Sequence, residues 1–202
     1  IKMMCARISP NIRIIHLDIN NISINEYSYL LMTTAFWNRF YGEKLLLYQA
    51  DSYLFHGKID PFLEYDYVGS PWPKPFIYAV GNGGFSLRTK KTMIECIEKA
   101  HELDPDLEED IFYVKYITLF NLGKIPSFEK AKSFGVEFCE GNNPVGGHKI
   151  FRPDTTLTPA YKSLQISPIK SKNMVWNKYI DYGIAQQVIT IKNTNDTIFL
   201  IY

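Results

Sequence analysis

Asp51 is the first residue whose position could support chemistry. It follows the apolar run Leu45–Tyr48, together with the polar residues Gln49 and Ser52. Such a run predicts a strand buried on both faces, and ligands of open α/β sheets bind outside the carboxyl ends of strands. A carboxylate there could hold a divalent metal and, through it, a phosphate. The alternative is that Asp51 only caps the next turn.

An acidic segment supplies a second candidate. Asp104–Asp110 contains five acidic residues and is followed directly by the apolar residues Ile111–Val114. The ordinary interpretation is a solvated acidic run at a helix N-terminus. Glu109 and Asp110 adjoin the apolar segment, however, and a carboxylate at such a border can be desolvated enough to act as a general base. Asp110 is the first choice for that role and Glu109 the second.

A glycine-rich stretch lies between these two segments. Gly81, Asn82, Gly83 and Gly84 are consecutive, and glycines permit positive φ angles and close approach of the backbone to a ligand. A β-bulge or tight turn is the alternative. The stretch is neither a GxGxxG motif nor followed by a Walker lysine, so it does not predict a nucleotide phosphate loop.

Two further side chains could complete a ligand site. Trp72 stands in a proline-rich segment, where it is either a lid on the edge of the core or a platform for stacking on a sugar. His148 lies in 141–149, a predicted flexible loop. A neutral imidazole there could complete a metal site begun by Asp51, although an exposed histidine without a ligand is the alternative.

The sequence also predicts the elements that position these residues. Arg13–Asp18 is typical of a short strand, and Ser23 with Glu26 matches a capping box that begins a helix ending before Gly42. With the strand at Leu45–Tyr48, this gives a βαβ unit. Other patterns predict a helical turn at Asp60–Tyr65, helices at Lys91–Glu102 and Pro126–Phe134, a strand at Val136–Cys139, and a terminal hairpin formed by Val188–Lys192 and Thr197–Tyr202.

The composition is that of an ordinary globular protein. Of 202 residues, 46% are hydrophobic, and 22 basic residues nearly balance 21 acidic ones, which argues against a nucleic-acid binder. The longest apolar runs are too short for a membrane span. Three cysteines without a CxxC pair argue against a disulfide framework or zinc site, and predict the cytoplasm or another reducing compartment. The 15% aromatic content suits sugar recognition, but an AT-rich genome, as in a large DNA virus or a protist, explains it equally well.

Taken together, the motifs resemble a family related to GT-A sugar transferases that has long been catalogued only as a domain of unknown function. The resemblance covers roughly residues 12–152 and is specific through the combination of its motifs. They are, in order, Phe36-Trp37, Tyr48–Ser52, Tyr65–Trp72, Gly81–Arg88, Glu109-Asp110 and Gly146–Lys149.

The resemblance implies a Rossmann-like GT-A fold, a mixed sheet flanked by helices, over residues 1–155, with 156–202 as an extension packing on it. It also implies a nucleotide-sugar donor, most simply a UDP-sugar, a hydroxyl acceptor and Mn²⁺ or Mg²⁺. Asp51 and His148 would hold the metal, and Asp110 or Glu109 would be the base of an inverting transfer. Donor and acceptor would contact Gln49, Asp51, Ser52, Trp72, Gly81, Asn82, Gly83 and Gly84.

Two departures from the family pattern bear on this expectation. Tyr53 stands where the DxD motif of GT-A enzymes has its second carboxylate, which leaves the metal with fewer ligands. The first strand and helix of such a domain are missing or lie upstream of Ile1, so part of the base pocket would be absent. Both departures favour one alternative, a catalytically inactive carbohydrate-binding module. The other alternative is a phosphohydrolase that uses the same carboxylates to cleave nucleotide sugars.

Overall fold

The computed structural model describes residues 12–15, 17, 22–49, 51–100, 107–149, 186–191 and 197–201, and the side chains of all but 12–14, 186–191 and 197–201. Strands and helices follow one another along these ranges. The strands are β1 (Ile12–Ile15), β2 (Lys44–Tyr48), β3 (Ser52–Leu54), β4 (Tyr67–Pro71), β5 (Val80–Thr89), β6 (Gly135–Val136), β7 (Gly146–His148), β8 (Gln186–Ile191) and β9 (Thr197–Ile201). The helices are α1 (Ile24–Leu31), α2 (Thr34–Trp37), α3 (Lys90–Lys99), α4 (Glu109–Phe120) and α5 (Phe128–Ala131), with a 3-10 turn at Asp60–Phe62.

The described strands form two open sheets. Six of them form a mixed sheet in the order β1-β9-β8-β2-β5-β4, in which only β1 and β9 are parallel neighbours. The other three form a small sheet in the order β3-β7-β6. The predicted mixed α/β architecture, sheets flanked by helices, is confirmed, whereas the GT-A arrangement stays a prediction.

The predicted βαβ unit is present in a modified form. β1 and β2 run in the same direction in one sheet, with α1 and α2 between them in sequence, but β9 and β8 lie between them in space. These two strands pair antiparallel, as the sequence predicted for a terminal hairpin. The structure leaves residues 150–185 undescribed, so the division of the chain near 155 stays a prediction.

The first helical segment is interrupted where the sequence offers a second cap. The capping box is confirmed, because the Glu26 amide donates to the Ser23 hydroxyl and the Ser23 amide to the Glu26 carboxylate, at 3.3 and 2.7 Å. The predicted continuous helix ends at Leu31, however. Thr33 caps a new helix by accepting from the Phe36 amide at 3.3 Å. A threonine hydroxyl competes with helical hydrogen bonding in this way, which explains the break.

Strand β2 is buried on both faces, as predicted. Leu45 and Leu47 belong to one hydrophobic cluster, which also contains Trp37 and Tyr113, whereas Leu46 belongs to the cluster on the other face. The Trp37 indole donates to the carbonyl of Leu31 at 2.7 Å and lies 2.8 Å from the Tyr113 hydroxyl, which links α1, α2 and α4. The first cluster therefore fixes α4 relative to the sheet.

Several other local predictions can be compared directly. The 3-10 turn carries Pro61 in its first turn, α3 begins one residue before the predicted start, and α5 is capped by Ser127. All three elements end three residues before the predicted end. The predicted strand Val136–Cys139 is wrong beyond Val136, because Glu137–Cys139 form a bend. No helix in the described part of the chain is long and apolar enough to cross a bilayer.

Candidate functional site

The glycine-rich stretch is a bulged part of β5. Gly69 of β4 pairs with Ser86, but the next residue, Ser70, pairs with Asn82, so 83–85 have no partners in β4. The bulge that the sequence offered as one alternative is therefore present. Because β5 is antiparallel to both β2 and β4, the bulge lies at the sheet edge where those two strands end.

The two central glycines face different groups of polar side chains. A Cβ atom on Gly83 would collide with the carboxylate of Glu109 and lie 3.1 Å from Cβ of Asp110. A Cβ atom on Gly84 would overlap the imidazole ring of His148. Neither contact leaves room for a side chain. The predicted catalytic carboxylates and the predicted metal histidine thus flank consecutive residues of one bulge.

Asp110 lies in the first turn of α4, held by two backbone amides. Its Oδ2 accepts from the Gly83 amide at 2.9 Å and its Oδ1 from the Ile111 amide at 2.8 Å. Burial, reinforced by the negative charge of Glu109, raises the pKa of Asp110 to about 7, against the opposing effects of the Gly83 amide and Arg88. A carboxyl group that titrates near neutral pH is suited to accept and release a proton.

Glu109 has a different environment, although it is adjacent in sequence. It is 4% exposed and forms a bidentate pair with Arg88, in which Nη1 bonds Oε2 and Nη2 lies 2.9 Å from Oε1. The rings of Tyr67 and Tyr113 lie 4.7 and 5.5 Å from the guanidinium carbon. Glu109 is buried against a charged guanidinium, whereas Asp110 accepts only from neutral amides and is half-buried, so the geometry favours Asp110 over Glu109 as a base.

A second polar group contains Asp51, His148 and Glu137. Nδ1 of His148 lies 3.0 Å from Oε2 of Glu137, and Nε2 lies 3.1 Å from Oδ1 of Asp51. Lys149 Nζ lies 3.3 Å from the other oxygen of Glu137. Strand pairing accounts for this geometry, because β3 pairs with β7 so that Ser52 faces His148. The prediction of a flexible loop around His148 is wrong, since the residue is in β7 and 3% exposed.

The protonation of this group follows from its charges. Burial opposes a charged imidazole, but Asp51 and Glu137 on either side outweigh it and raise the pKa of His148. Burial also acts to raise the pKa of Asp51, yet the contact with His148 and the charge of Lys149 leave that pKa below its usual value. The pair is therefore held with a negative Asp51 and an imidazole that retains its proton to higher pH than usual.

The group brings together Asp51 and His148, the two predicted metal ligands. In the part of the chain that the structure describes, no group of three or more His, Cys, Asp or Glu side chains is arranged for metal binding. Nε2 of His148 is buried without a well-aligned hydrogen bond, and it is directed at Asp51. Glu137 behind Nδ1 is the carboxylate that commonly orients a metal-binding histidine. The prediction of a metal at this group therefore rests on one carboxylate and one imidazole.

Gln49, Ser52 and Asn82 support the bulge. The backbone amide of Gln49 and the hydroxyl of Ser52 both donate to the carbonyl of Gly84, at 3.0 and 2.7 Å. The Asn82 side-chain carbonyl accepts from the Gly84 amide at 3.2 Å, and Asn82 is 7% exposed. These predicted ligand-binding residues therefore meet at the bulge, where they make protein contacts.

Trp72 and Gly81 form a packed corner. Trp72 is 7% exposed and belongs to the main hydrophobic cluster, so the structure favours the lid on the core edge over the stacking platform. Gly81 has a φ of 144° and lies against the Trp72 and Val114 side chains, where a Cβ atom would collide. The positive φ requires glycine, so the role of Gly81 is explained by packing.

Two residues of the site were missed in the sequence. Arg88 stands at the end of an apolar strand pattern, and Glu137 occurs in a stretch interpreted as a strand. Neither residue has a local sequence signal that would mark it as part of a site. Arg88 lies far from the acidic pair in sequence, and Glu137 stands eleven residues before His148. Both are recognised only when β5, β7 and α4 are brought together.

Comparison with known proteins adds one match. A family model described as "Protein of unknown function (DUF5672)" matches residues 11–148, nearly the range over which the sequence motifs occur. No curated protein and no solved structure shows a significant match. The family model covers well over half of the chain, including β1 through β7 and every candidate site residue. The chain therefore belongs to the DUF5672 family.

Proposed function

We propose that this chain is the catalytic part of a glycosyltransferase that moves a sugar from a nucleotide-sugar donor to a hydroxyl acceptor with inversion. The observation that carries the proposal is Asp110. Its carboxyl group is held by two amides at a glycine bulge, and its pKa is raised to about 7. A separate acidic and histidine group on the other side of the bulge supports it, as does the resemblance of the motifs to GT-A transferases.

The proposed reaction requires one proton transfer and one substitution. The acceptor hydroxyl gives its proton to the Asp110 carboxylate as its oxygen forms a bond to the anomeric carbon of the donor. The bond from that carbon to the diphosphate oxygen breaks, and its electron pair leaves with the diphosphate. Attack opposite the leaving group inverts the anomeric configuration. Gly83 and Gly84 have no side chains, so the acidic pair and His148 can approach the bulge closely.

The leaving diphosphate needs positive charge near it, which the second polar group does not supply alone. Asp51 and Glu137 balance Lys149 and a protonated His148, so the group has no net positive charge. After losing the proton on Nε2, His148 would hold a divalent cation together with Asp51, and Glu137 would orient the imidazole. When bound, Mn²⁺ or Mg²⁺ would offset the charge that develops on the leaving oxygen.

A thermal-shift screen with nucleotide diphosphates and nucleotide sugars, with and without Mn²⁺, tests the donor assignment. A ligand at 100 times its dissociation constant should stabilise the fold by about 2.7 kcal/mol. We expect one nucleotide class to produce a Mn²⁺-dependent shift that Asp51→Ala abolishes. Asp60→Ala, at another exposed aspartate, should leave the shift unchanged. The absence of any shift for all donors would contradict the proposed donor site.

A further inference from the structure

We propose that Arg88 is a positioning residue for Asp110, acting through Glu109 on one side and through Ser86 and Gly83 on the other. This inference rests on the proposed role of Asp110 as the base, and it concerns how the base is held. Arg88 is fully buried, so a substrate bound at the surface would not touch it. It acts on Asp110 only through its neighbours.

The contacts form a closed ring that begins and ends at Arg88. Nε of Arg88 donates to the Ser86 hydroxyl at 2.9 Å, and that hydroxyl donates to the Gly83 carbonyl at 3.1 Å. The Gly83 amide donates to Asp110 at 2.9 Å. Asp110 is joined by the backbone to Glu109, whose carboxylate binds both terminal nitrogens of Arg88. One guanidinium therefore fixes the bulge and the first turn of α4 relative to each other.

The surroundings of Arg88 make this ring rigid. Tyr67 and Tyr113 lie against the guanidinium, and the Tyr67 hydroxyl donates to the Gly81 carbonyl at 2.6 Å, two residues before the bulge contact. A buried ion pair is weak evidence for stability, because desolvation opposes the attraction between its charges. A planar fork that satisfies three acceptor atoms at fixed angles is, by contrast, well suited to hold two elements in register.

The charged and titratable groups near Asp110 come from four elements. Glu108 and Glu109 belong to the start of α4, Arg88 to β5, and Tyr27 to α1. The hydroxyl of Tyr67, on β4, also interacts electrostatically with Asp110. Among the hydrogen-bond partners, the Gly83 amide lowers the pKa of Asp110. If the ring loosens, this bond weakens and the carboxyl group should titrate at higher pH.

Two variants separate positioning from charge. Arg88→Lys keeps the positive charge but loses the fork and the Nε contact with Ser86. Ser86→Ala removes only the hydroxyl that bridges Arg88 and Gly83. The matched control is Ser70→Ala, because Ser70 is equally buried, lies on the adjacent strand and has no hydrogen-bond partner for its hydroxyl. Carbon-detected NMR titration of the Asp110 carboxyl in the full chain is the readout, and it requires no substrate.

We expect the Asp110 titration midpoint to rise in Arg88→Lys and Ser86→Ala, and to stay unchanged in Ser70→Ala. With an active donor and acceptor, kcat should fall at least about tenfold in Arg88→Lys while KM for the donor changes little, as for a group that acts in the transition state. Unchanged midpoints in folded Arg88→Lys and Ser86→Ala would overturn the inference. If Arg88→Lys does not fold, the result for Ser86→Ala decides. A raised midpoint in a protein that transfers no sugar would support the positioning role and count against the proposed function alone.

Discussion

Two adjacent carboxylates differ in environment because their partners differ. Glu109 gives both oxygens to a buried arginine, whereas Asp110 accepts from backbone amides and is only partly buried. The sequence predicted that this acidic pair was functional, but it could not rank the two residues by partner. The ranking depends on Arg88, which is twenty-one residues away.

A substitution at Glu109 should shift the pKa of Asp110, although Asp110 itself is unchanged. In Glu109→Gln, Asp110 loses a nearby negative charge and gains the uncompensated charge of Arg88, so its pKa should fall below about 7. Opposite charges at this range commonly lower a carboxyl pKa by about 1–3. The acidic limb of a pH profile of kcat/KM, or the carboxyl NMR titration, measures the change. An unchanged or higher midpoint would contradict the electrostatic account of the pair.

His148 should respond in a similar way to the loss of Glu137. Glu137→Gln removes one of the two carboxylates that raise the imidazole pKa, so the pKa of His148 should fall. Imidazole NMR titration of the wild type and the variant tests this. Glu129→Gln, at an exposed position of α5, is the control and should leave His148 unchanged. Equal shifts in both variants would mean that the direct contact with Glu137 is not the cause.

At the scale of elements, the glycine bulge in β5 carries the arrangement. Gly83 of this strand faces Asp110, and the next residue, Gly84, faces His148. A regular strand directs consecutive residues to opposite faces of the sheet in fixed alternation. The two polar groups therefore lie on opposite sides of the strand, and the bulge leaves 83–85 without partners in β4, so the Gly83 amide can donate to Asp110.

Gly84→Ala tests the importance of this close approach. The new methyl group would overlap the His148 ring, so we expect a loss of about 1–3 kcal/mol in the free energy of unfolding, as for overpacked cores. Gly57→Ala is the control, because a Cβ atom there meets nothing within 4 Å. Urea unfolding of both variants provides the comparison. Equal stability of the two variants would show that the backbone and ring can separate without strain.

The elements that the sequence predicted are those with local signals. The capping box at Ser23, the apolar run of β2 and the proline-led turn at Asp60 each depend on residues within one or two turns. The features that the sequence predicted wrongly depend on contacts between residues that are far apart in sequence. His148 was expected in a loop because its glycine-rich neighbours are typical of one, but pairing with β3 and β6 makes it a strand residue.

The same distinction applies to the whole molecule. The sequence predicted a terminal hairpin, but not that β8 and β9 lie between β1 and β2 in the main sheet. Strand order is set by non-local pairing, which composition and periodicity do not encode. The two polar groups could likewise be predicted only in part. Asp51 and His148 could be linked from their residue types as well as from the family resemblance, whereas Glu137 and Arg88 became visible only through the fold.

The stability of the whole chain should depend on pH in a direction set by these groups. Asp110 binds its proton more tightly in the folded state, with a pKa of about 7 against 3.8, so its contribution falls as pH rises from about 4 to 7. His148 also has a raised pKa, so its contribution is full below 6.5 and is lost as pH rises through the folded value. Asp51 acts in the opposite direction, but only below its usual pKa of 3.8.

We therefore expect the free energy of unfolding to decrease between pH 5 and pH 8, by at most about 1.4 kcal/mol per pH unit for each group. Urea unfolding across this range measures it. The slope between pH 5 and 7 should be shallower in Asp110→Asn, because that variant has no titrating carboxyl group at this position. A slope that the substitution leaves unchanged would contradict the raised pKa of Asp110.

The central claim is that Asp110 is the base of a sugar transfer, and product analysis of the wild-type chain and Asp110→Asn tests it most directly. Both would be incubated with Mn²⁺, the nucleotide sugar that stabilises the fold and a panel of hydroxyl acceptors. The account predicts a glycoside of inverted configuration from the wild type and at least about 100-fold less from Asp110→Asn, a typical loss for a general base. A glycoside of retained configuration, free sugar alone, or sugar binding without turnover in either protein would contradict it.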